Sequence, residues 1–529
     1  MSASTSRFAG YDLRADAISG FLVFLIALPL SLGIAMASGF PPIAGIMTAI
    51  VGGIMTSFIG GARLTIKGPA AGLIVIVIGA VTELGMGDPV AGYQRTLAVG
   101  VVAGVIQIVL AAARLGFVGS MMPPSVVHGM LSAIGVIIIS KQAHTVLGVT
   151  PTAKAPLPLL AEIPSSIAKL NPEIFVIGAL ALFVLFGMSA SRSVLLRRIP
   201  APLVVLAMAI PLGLAFDLDH THVYGLFDTS WQVGPQYLVR LPDSLLGAAT
   251  LPDFSMLGSS VSIKYIVMFT LVGTIESLLS ASAVDALDPA KRASDLDKDL
   301  FALGVGNTVA SLLGGLPMIS EIVRSKANVD NGATSPFANF FHGTFLLLFV
   351  ALVPGVVQEI PLAALGAMLI FTGTRLASPK EFAHALEIGR EQLAVFVVTL
   401  VVTLATDLLV GVGVGLVLQL ALHLAWGAPL RSVFRNRVEI VRAGDTLTLT
   451  PHDSAIFTNM RGVTRPLERL EPSVKHVVVD FSQCRVVGHA LLQRLTLMAG
   501  EWEDRTLDYR GLDDCIAASP HANATRRRR

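Results

Sequence analysis

Gly314-Gly315-Leu316-Pro317-Met318-Ile319-Ser320-Glu321-Ile322-Val323-Arg324 breaks an otherwise apolar region with two glycines, a proline and two charges. Proline is comfortable in the first turn of a helix, where its missing N–H costs nothing. The stretch therefore reads as a helix that begins inside hydrophobic surroundings. Gly68-Pro69-Ala70-Ala71-Gly72, directly after Arg63 and Lys67, has the same build. Counted along the chain, these breaks open the third and the tenth apolar segments. A separation of seven suggests a seven-plus-seven repeat, inverted because seven is odd. Matched Gly/Pro-interrupted segments in two halves are the best sequence pointer to a membrane transport site.

The composition around these breaks is that of a membrane protein. Of 529 residues 53% are hydrophobic and only 14% charged, against about 25% charged in a soluble domain. Low net charge (+2) argues against a nucleic-acid partner, and two cysteines, Cys484 and Cys515, cannot form a disulfide framework or a thiolate metal site. Runs able to span ~30 Å need about 20 residues. Candidates are 17–38, 41–59, 93–113, 125–140, 172–190, 200–216, 264–286, 338–353, 361–377, 392–408 and 409–426, with 69–84, 300–313 and 317–330 shorter or interrupted. Residues 427–529 hold 28 of the 74 charged side chains, so a soluble domain follows the membrane part. The expected division is 1–430 membrane domain, 431–520 soluble domain, and 521–529 a disordered basic tail.

Lys and Arg set the orientation. With the N-terminus inside, the cytoplasmic connections carry Arg63 and Lys67, Arg114, Arg192 with Arg197 and Arg198, Lys291 with Arg292 and Lys298, and Arg375 with Lys380 and Arg390. The long outer loop, about 217–262, is acidic: Asp217, Asp219, Asp228, Asp243 and Asp253 against Arg240. Arg7, Asp12, Arg14 and Asp16 precede the first apolar run without a cleavage site, so that helix is expected to be retained. Both termini are expected in the cytoplasm, in an inner (plasma) membrane.

The breaks supply chemistry. The first N–H groups of a helix lack internal partners and carry roughly half a positive charge. Two half-helices meeting start to start would cradle an anion, and the small Ala70, Ala71 and Gly72 let it approach the backbone. Ionisable residues inside membrane segments are costly and hence functional candidates. Glu276 lies on segment eight, followed by Ser280, and is the candidate for a coupling cation. Arg324 would give the cradle positive potential, or would simply pair with Glu321 at i, i+3. Lys67 reads best as an ordinary cytoplasmic charge. His128, His342 and His423 read as structural; Asp285 reads as interfacial; Gln107 and Asp407 have no assignment.

Arg14-Ala15-Asp16 through Ala27-Leu28-Pro29, Gly60-Gly61 to Gly68-Pro69, Glu276-Ser277-Leu278-Leu279, and Gly315-Leu316-Pro317 to Arg324-Ser325 and Asn328-Val329 resemble the sulfate permease (SulP) family of anion transporters. The likeness runs from about residue 12 to 515. It implies a core domain of segments one to four and eight to eleven, a gate domain of the rest, elevator transport and a homodimer. Carried over, the anion would meet the backbone of Ala70 and Ala71 and of Met318, Ile319 and Ser320, together with Arg324. Glu276, with Ser280, matches the coupling-ion position. Where many members carry Gln, this chain has Leu30, leaving Ser31 as a nearby hydroxyl. Glu276 in place of Asp leaves proton against sodium open, and Glu321 beside an anion site is a second carboxylate that could carry a proton.

In the tail, Val438–Val441 and Thr446–Thr450 read as strands joined through Ala443-Gly444-Asp445, Val477–Phe481 as a buried strand, and 461–470 and 489–502 as helices. This resembles the STAS domain of the same family. Gly488-His489-Ala490 stands where a phosphorylated hydroxyl occurs in related domains, so docking or dimerisation is the expected role. The fold class is thus an all-α polytopic membrane protein, with fourteen transmembrane segments in a 7+7 inverted repeat, followed by a small cytoplasmic α/β domain. The function expected is secondary transport of a small oxyanion, bicarbonate or sulfate, coupled to Na+ or H+ and needing no cofactor beyond that ion. The alternatives are a proton-coupled dicarboxylate transporter and an anion channel or exchanger. No nucleophile–base set or metal cluster is visible, which argues against an enzyme.

Overall fold

The computed structural model describes residues 12–116, 121–153, 155–193, 199–226, 229–241, 247, 249–290, 292–468, 470–471, 473–500, 502 and 504–528. Arg7, Arg197, Arg198, Asp228, Asp243, Lys291 and Arg529 lie outside the described residues. In chain order the first elements are α1 (Leu13–Ala37), α2 (Pro42–Ile54), α3 (Thr56–Ile59), β1 (Lys67–Pro69), a single 3-10 turn (Ala71–Leu73), α4 (Ile74–Gly85), α5 (Pro89–Ala112), α6 (Pro124–Leu147), α7 (Pro156–Ile167), α8 (Pro172–Ala190) and α9 (Ala201–Ala215). The β2–β3 hairpin (His222–Leu226, Thr229–Val233) follows. Next come α10 (Ser260–Leu287), α11 (Leu296–Leu312), β4 (Met318–Ser320), α12 (Ile322–Asp330), α13 (Phe337–Leu352), α14 (Pro354–Gln358) and α15 (Leu362–Leu376). Helices α16 (Pro379–Ile388), α17 (Arg390–Ala405) and α18 (Leu408–Ala425) precede the tail.

Every one of the fourteen expected segments coincides with a helical element, and among the described residues eight helical stretches are long and apolar enough to cross a membrane. Segment ten is the exception in kind, being the three-residue β4 followed by the nine-residue α12. The β2–β3 hairpin and α7 were not legible in the hydropathy pattern.

The chain divides into two units: Met1–Gly116 with Ile134–Leu376, and Phe117–Ala133 with Ala377–Arg529. The second unit takes in α16 to α18 as well as the tail, so its limit does not coincide with the expected boundary near 430. Its polar contacts explain why. Ser519 Oγ donates to the carbonyls of Glu387 (2.9 Å) and Ile388 (2.7 Å), and Gln392 Nε2 donates to Thr525 Oγ1 (3.3 Å).

In the first unit, small residues let helices meet backbone to backbone, as is common between membrane helices. A Cβ on Gly53 of α2 would lie 2.6 Å from Cα of Gly343 on α13. Asp12 caps α1 through Arg14 N and Ala15 N, and the buried Asp16 accepts from Thr334 N (2.7 Å) and Ser335 N (3.1 Å). The start of α1 is thereby pinned to the turn before α13. A large apolar cluster joins Phe24, Leu28 and Leu32 of α1 to Ile177, Val205, Leu346 and Leu365.

The tail is an α/β unit. The β5 (Val438–Ala443) and β6 (Thr446–Pro451) strands form an antiparallel hairpin turned by Gly444 at φ +64, a left-handed conformation that glycine adopts without steric cost. Strand β6 pairs in parallel with β8 (His476–Asp480), and β8 with β10 (Thr506–Arg510). A second sheet runs β11-β12-β9-β7, from Cys515–Ala517, Arg526–Arg528, Cys484–Val487 and Asp453–Ala455. Helices α19 (Arg461–Leu467) and α20 (His489–Gly500) complete it, and Leu449, Val463, Val477, Val479, Phe481, Leu491 and Leu495 fill the core. The arginine run is therefore not a disordered tail. Arg526–Arg528 pairs between β11 and β9, and Arg526 and Arg528 reach the carbonyls of Leu512 and Ser482.

Candidate functional site

Both Gly-Pro breaks become short strands before they become helices. The β1 and β4 strands pair antiparallel, with Lys67 opposite Ser320, Gly68 opposite Ile319 and Pro69 opposite Met318. Each strand runs into a helix start, β1 through the Ala71–Leu73 turn into α4 and β4 into α12. The antiparallel crossing brings the two starts together. Ala71 N donates to Glu321 Oε1 across a long 3.3 Å, and Glu321 is the N-cap residue of α12.

The strand backbone is tied down by side chains from other helices. Met318 N donates to Asn307 Oδ1 (2.6 Å), Asn307 Nδ2 to Gln107 Oε1 (2.9 Å), and Gln107 Nε2 to Thr274 Oγ1 (3.3 Å). Ser320 N donates to Ser277 Oγ (3.0 Å) and Glu321 N to the Ile66 carbonyl (2.8 Å). Gln107 thus has a job: it is the middle link that holds β4 to α10. The N–H groups of Met318 and Ser320 are committed to Asn307 and Ser277. Ala70, Met318, Ile319 and Ser320 are all buried, while Ala71 is half-buried.

Lys67 is not a surface charge of the cytoplasmic loop. Its side chain is 2% exposed, and Nζ donates to both oxygens of Asp299 (2.9 and 2.8 Å) and to Ser320 Oγ (2.8 Å). An ammonium ion this far from water must be paired. The carboxylate of α11 and the hydroxyl of β4 supply that pairing. Asp299 also accepts from Ala62 N (3.1 Å), so the pair fastens the loop before β1 as well as the strand.

Above this layer lie two carboxylates and a guanidinium. Glu276 of α10 lies directly over Gly72: a methyl group there would overlap both of its carboxylate oxygens, and Oε2 has no hydrogen-bond partner. The bare glycine is what admits the carboxylate to the backbone of the turn. Arg324 is 1% exposed, yet none of its three guanidinium nitrogens has a hydrogen-bond partner. A Cβ on Gly68 would lie 2.5 Å from its Nη1, so the guanidinium lies against β1. No hydrogen bond joins Arg324 to Glu321, whose carboxylate instead accepts from Ala71 N, although the two charges still attract each other. His342 of α13 is fully buried with neither ring nitrogen partnered. The sequence reads it as structural, and a lone histidine on an apolar helix has no local signature that would show its ring nitrogens to be unpartnered.

Ser280, one turn beyond Glu276, is buried, and Ser31 of α1 is fully buried with Oγ unpartnered. Among the described residues no three His, Cys, Asp or Glu side chains are placed to hold a metal ion. Asp285 caps the turn after α10 by accepting from Ser294 N (2.8 Å) and Oγ (2.6 Å). Asp407 caps α18 through Val410 N.

Comparison with known proteins identifies the family and the fold. The model of the sulfate permease family matches residues 13–399. A putative sulfate transporter, YvdB, of Bacillus subtilis (strain 168) is 27% identical over 403 residues, covering 75% of this chain and 72% of its own. The transmembrane domain of a cyanobacterial bicarbonate transporter, BicA, superimposes with a TM-score of 0.64 at 21% identity, over 76% of this chain and 97% of that one. Murine solute carrier 26 family member A9, an anion transporter solved in the inward-facing state, gives 0.65 at 13% identity, over 96% and 89%. At these identities the two structures speak for the fold.

Proposed function

The chain belongs to the sulfate permease family, a family of transporters rather than enzymes, and on that premise we propose that it moves a small oxyanion, bicarbonate or sulfate, by secondary active transport. The observation that carries this reading is the meeting of two helix starts across the β1–β4 pair, with a buried, unpartnered guanidinium beside them. Buried donors left without hydrogen bonds cost about 1–3 kcal/mol, more on a charged group. An anion held by Arg324 and the backbone donors at Ala71 and the start of α12 offsets that cost. Recognition through backbone and one guanidinium selects charge and size more than identity, so dicarboxylates remain the alternative substrate class.

In this reading Ala70, Ala71, Met318, Ile319 and Ser320 form the floor of the site. Met318 and Ser320 shape it rather than donate to the anion, because their N–H groups are used. Ser31 contributes a hydroxyl. Glu276, with Ser280, takes the coupling ion, and the carboxylate's open oxygen suits a proton or sodium equally. Segments one to four and eight to eleven travel together as an elevator core against a gate made of the rest. The polar ties of β1 and β4 to α5, α10 and α11 support that division, since they fasten both half-helices to one body. The protein works as a homodimer in the inner membrane with both termini cytoplasmic, and the α/β tail is a STAS domain used for docking.

The test is uptake of labelled bicarbonate, sulfate and fumarate into proteoliposomes, each with a sodium gradient, a proton gradient or neither. One anion driven by one gradient supports symport. Uptake of several anions irrespective of gradient makes the protein an exchanger or channel and removes Glu276 from coupling.

A further inference from the structure

The site contains an anion of its own. Glu321 stands at the N-cap of α12 but makes no side-chain cap to its own helix; its carboxylate instead accepts from Ala71 N, at the start of the opposite one. That N–H is a donor an incoming substrate needs. We propose that Glu321 is a resident ligand of the anion cradle, and that a substrate anion binds only after Glu321 has taken a proton and released Ala71. The inference rests on the transport reading above.

Three features of the surroundings point the same way. A carboxylate is the one side chain that satisfies a helix start as an oxyanion does, so Glu321 and substrate compete for the same partner. Arg324, one turn on, is 1% exposed and has no hydrogen-bond partner. Glu321 attracts it through charge without a hydrogen bond, so the guanidinium's donors are left open for another anion. Glu276 faces the same turn from α10, directly over Gly72, and Coulombic repulsion couples the two carboxylates. A dianion cannot enter beside two charged carboxylates without strong like-charge repulsion.

The other charged groups around Glu321 are accounted for. Lys67 and Asp299 neutralise each other beneath the strand pair, and His342 of α13, buried near Arg324, has no hydrogen-bond partner. A protonated Glu321 stops accepting from Ala71, can turn its O–H outward as a donor, and leaves Arg324 as the uncompensated charge that draws the substrate in. Each binding event then consumes one proton at Glu321, whatever Glu276 carries.

The experiment is the pH dependence of the half-saturation concentration in proteoliposomes, from pH 6 to pH 8. The probe is labelled sulfate, or fumarate where sulfate is not carried, because both keep their charge over that range. One required proton makes affinity fall up to about tenfold per pH unit. Wild type is expected to weaken at least about tenfold between pH 6 and pH 8. Glu321→Gln should hold the tight, low-pH value throughout. Glu321→Ser, which keeps a favoured N-cap residue for α12, should do the same and serves if the Gln variant fails to fold. A variant that keeps the wild-type pH slope, or is flat but weak, overturns the inference while transport stands. A wild type that carries none of the anions overturns the transport reading itself, and the inference with it.

Discussion

Removing one member of the Lys67–Asp299 pair should damage the protein more than removing both. Each partner is almost wholly excluded from water, with two N–O contacts of 2.9 and 2.8 Å between them. Breaking such a pair typically costs 3–5 kcal/mol, because the survivor is left charged and buried. The two survivors are not equal. Asp299 without Lys67 keeps Ala62 N (3.1 Å) and Ser320 Oγ (3.4 Å) as donors, whereas Lys67 without Asp299 keeps Ser320 Oγ alone. Asp299→Leu should therefore cost more, roughly 4–5 kcal/mol, than Lys67→Met, roughly 3 kcal/mol. The double variant, which buries no charge, should recover at least about 5 kcal/mol relative to the sum, leaving it less damaged than either single. Thermal unfolding of detergent-solubilised protein, followed by fluorescence-detected size exclusion, reads the order directly: Asp299→Leu lowest, Lys67→Met next, the double variant nearest wild type. Strictly additive losses, or equal single losses, would refute the argument that these residues are held by each other.

Glu276→Gln should abolish gradient-driven uptake while leaving anion exchange measurable; near-normal driven rates would remove Glu276 from the coupling step. Arg324→Ala should raise the half-saturation concentration for the transported anion about tenfold or more, as loss of a charge-assisted contact predicts, and an unchanged value would make the arginine structural. The tail should loosen in acid. His489 is 2% exposed, its Nδ1 lies 2.8 Å from the Asn523 carbonyl, and burial holds its imidazole down to about 4 from the ordinary 6.5. A histidine held below its unfolded value stabilises the fold fully above 6.5 and loses that contribution as pH falls toward 4. Between pH 7.5 and 5.5 the folded tail should lose roughly tenfold in equilibrium constant, about 1.3 kcal/mol. Hydrogen exchange of α20 and residues 521–525 in the full-length protein measures it, and a His489→Gln variant with the same acid response would count against the assignment.

What the sequence made legible was what depends on neighbouring residues. The Gly-Pro breaks could be located because proline's missing donor and glycine's missing Cβ act locally, and hydropathy found the apolar segments that fold as helices because desolvation is additive along a run. What stayed hidden was pairing across long separations. Lys67 and Asp299 are 232 residues apart; each alone reads as a loop charge or a helix-start acid, and the positive-inside bias gives Lys67 a plausible place at the surface. Glu321 and Arg324 were judged by helical spacing. Spacing allowed either that pair or an open arginine; it could not show that Ala71, 250 residues away in sequence, donates to the carboxylate. The arginine run at the end looked like a solvated tail because its composition is polar. Its order comes from open edges on β9 and β11, which no local pattern reveals.

The charges themselves say why a site of this build would need a proton. Lys67 and Arg324 are positive; Asp299, Glu276 and Glu321 are negative when ionised. Lys67 and Asp299 cancel at contact distance, leaving one guanidinium against two carboxylates. With both carboxylates ionised the remainder is one negative charge, and an anion meets repulsion at every approach. With one protonated the site is neutral, and with both protonated it is one positive charge, facing helix starts that already favour an anion. On the reading proposed here, proton and substrate therefore enter together for an electrostatic reason rather than through a mechanical linkage. Their coupling should survive changes to the gate that leave these five side chains in place, and the proton dependence of binding should fail when Glu321 loses its carboxylate.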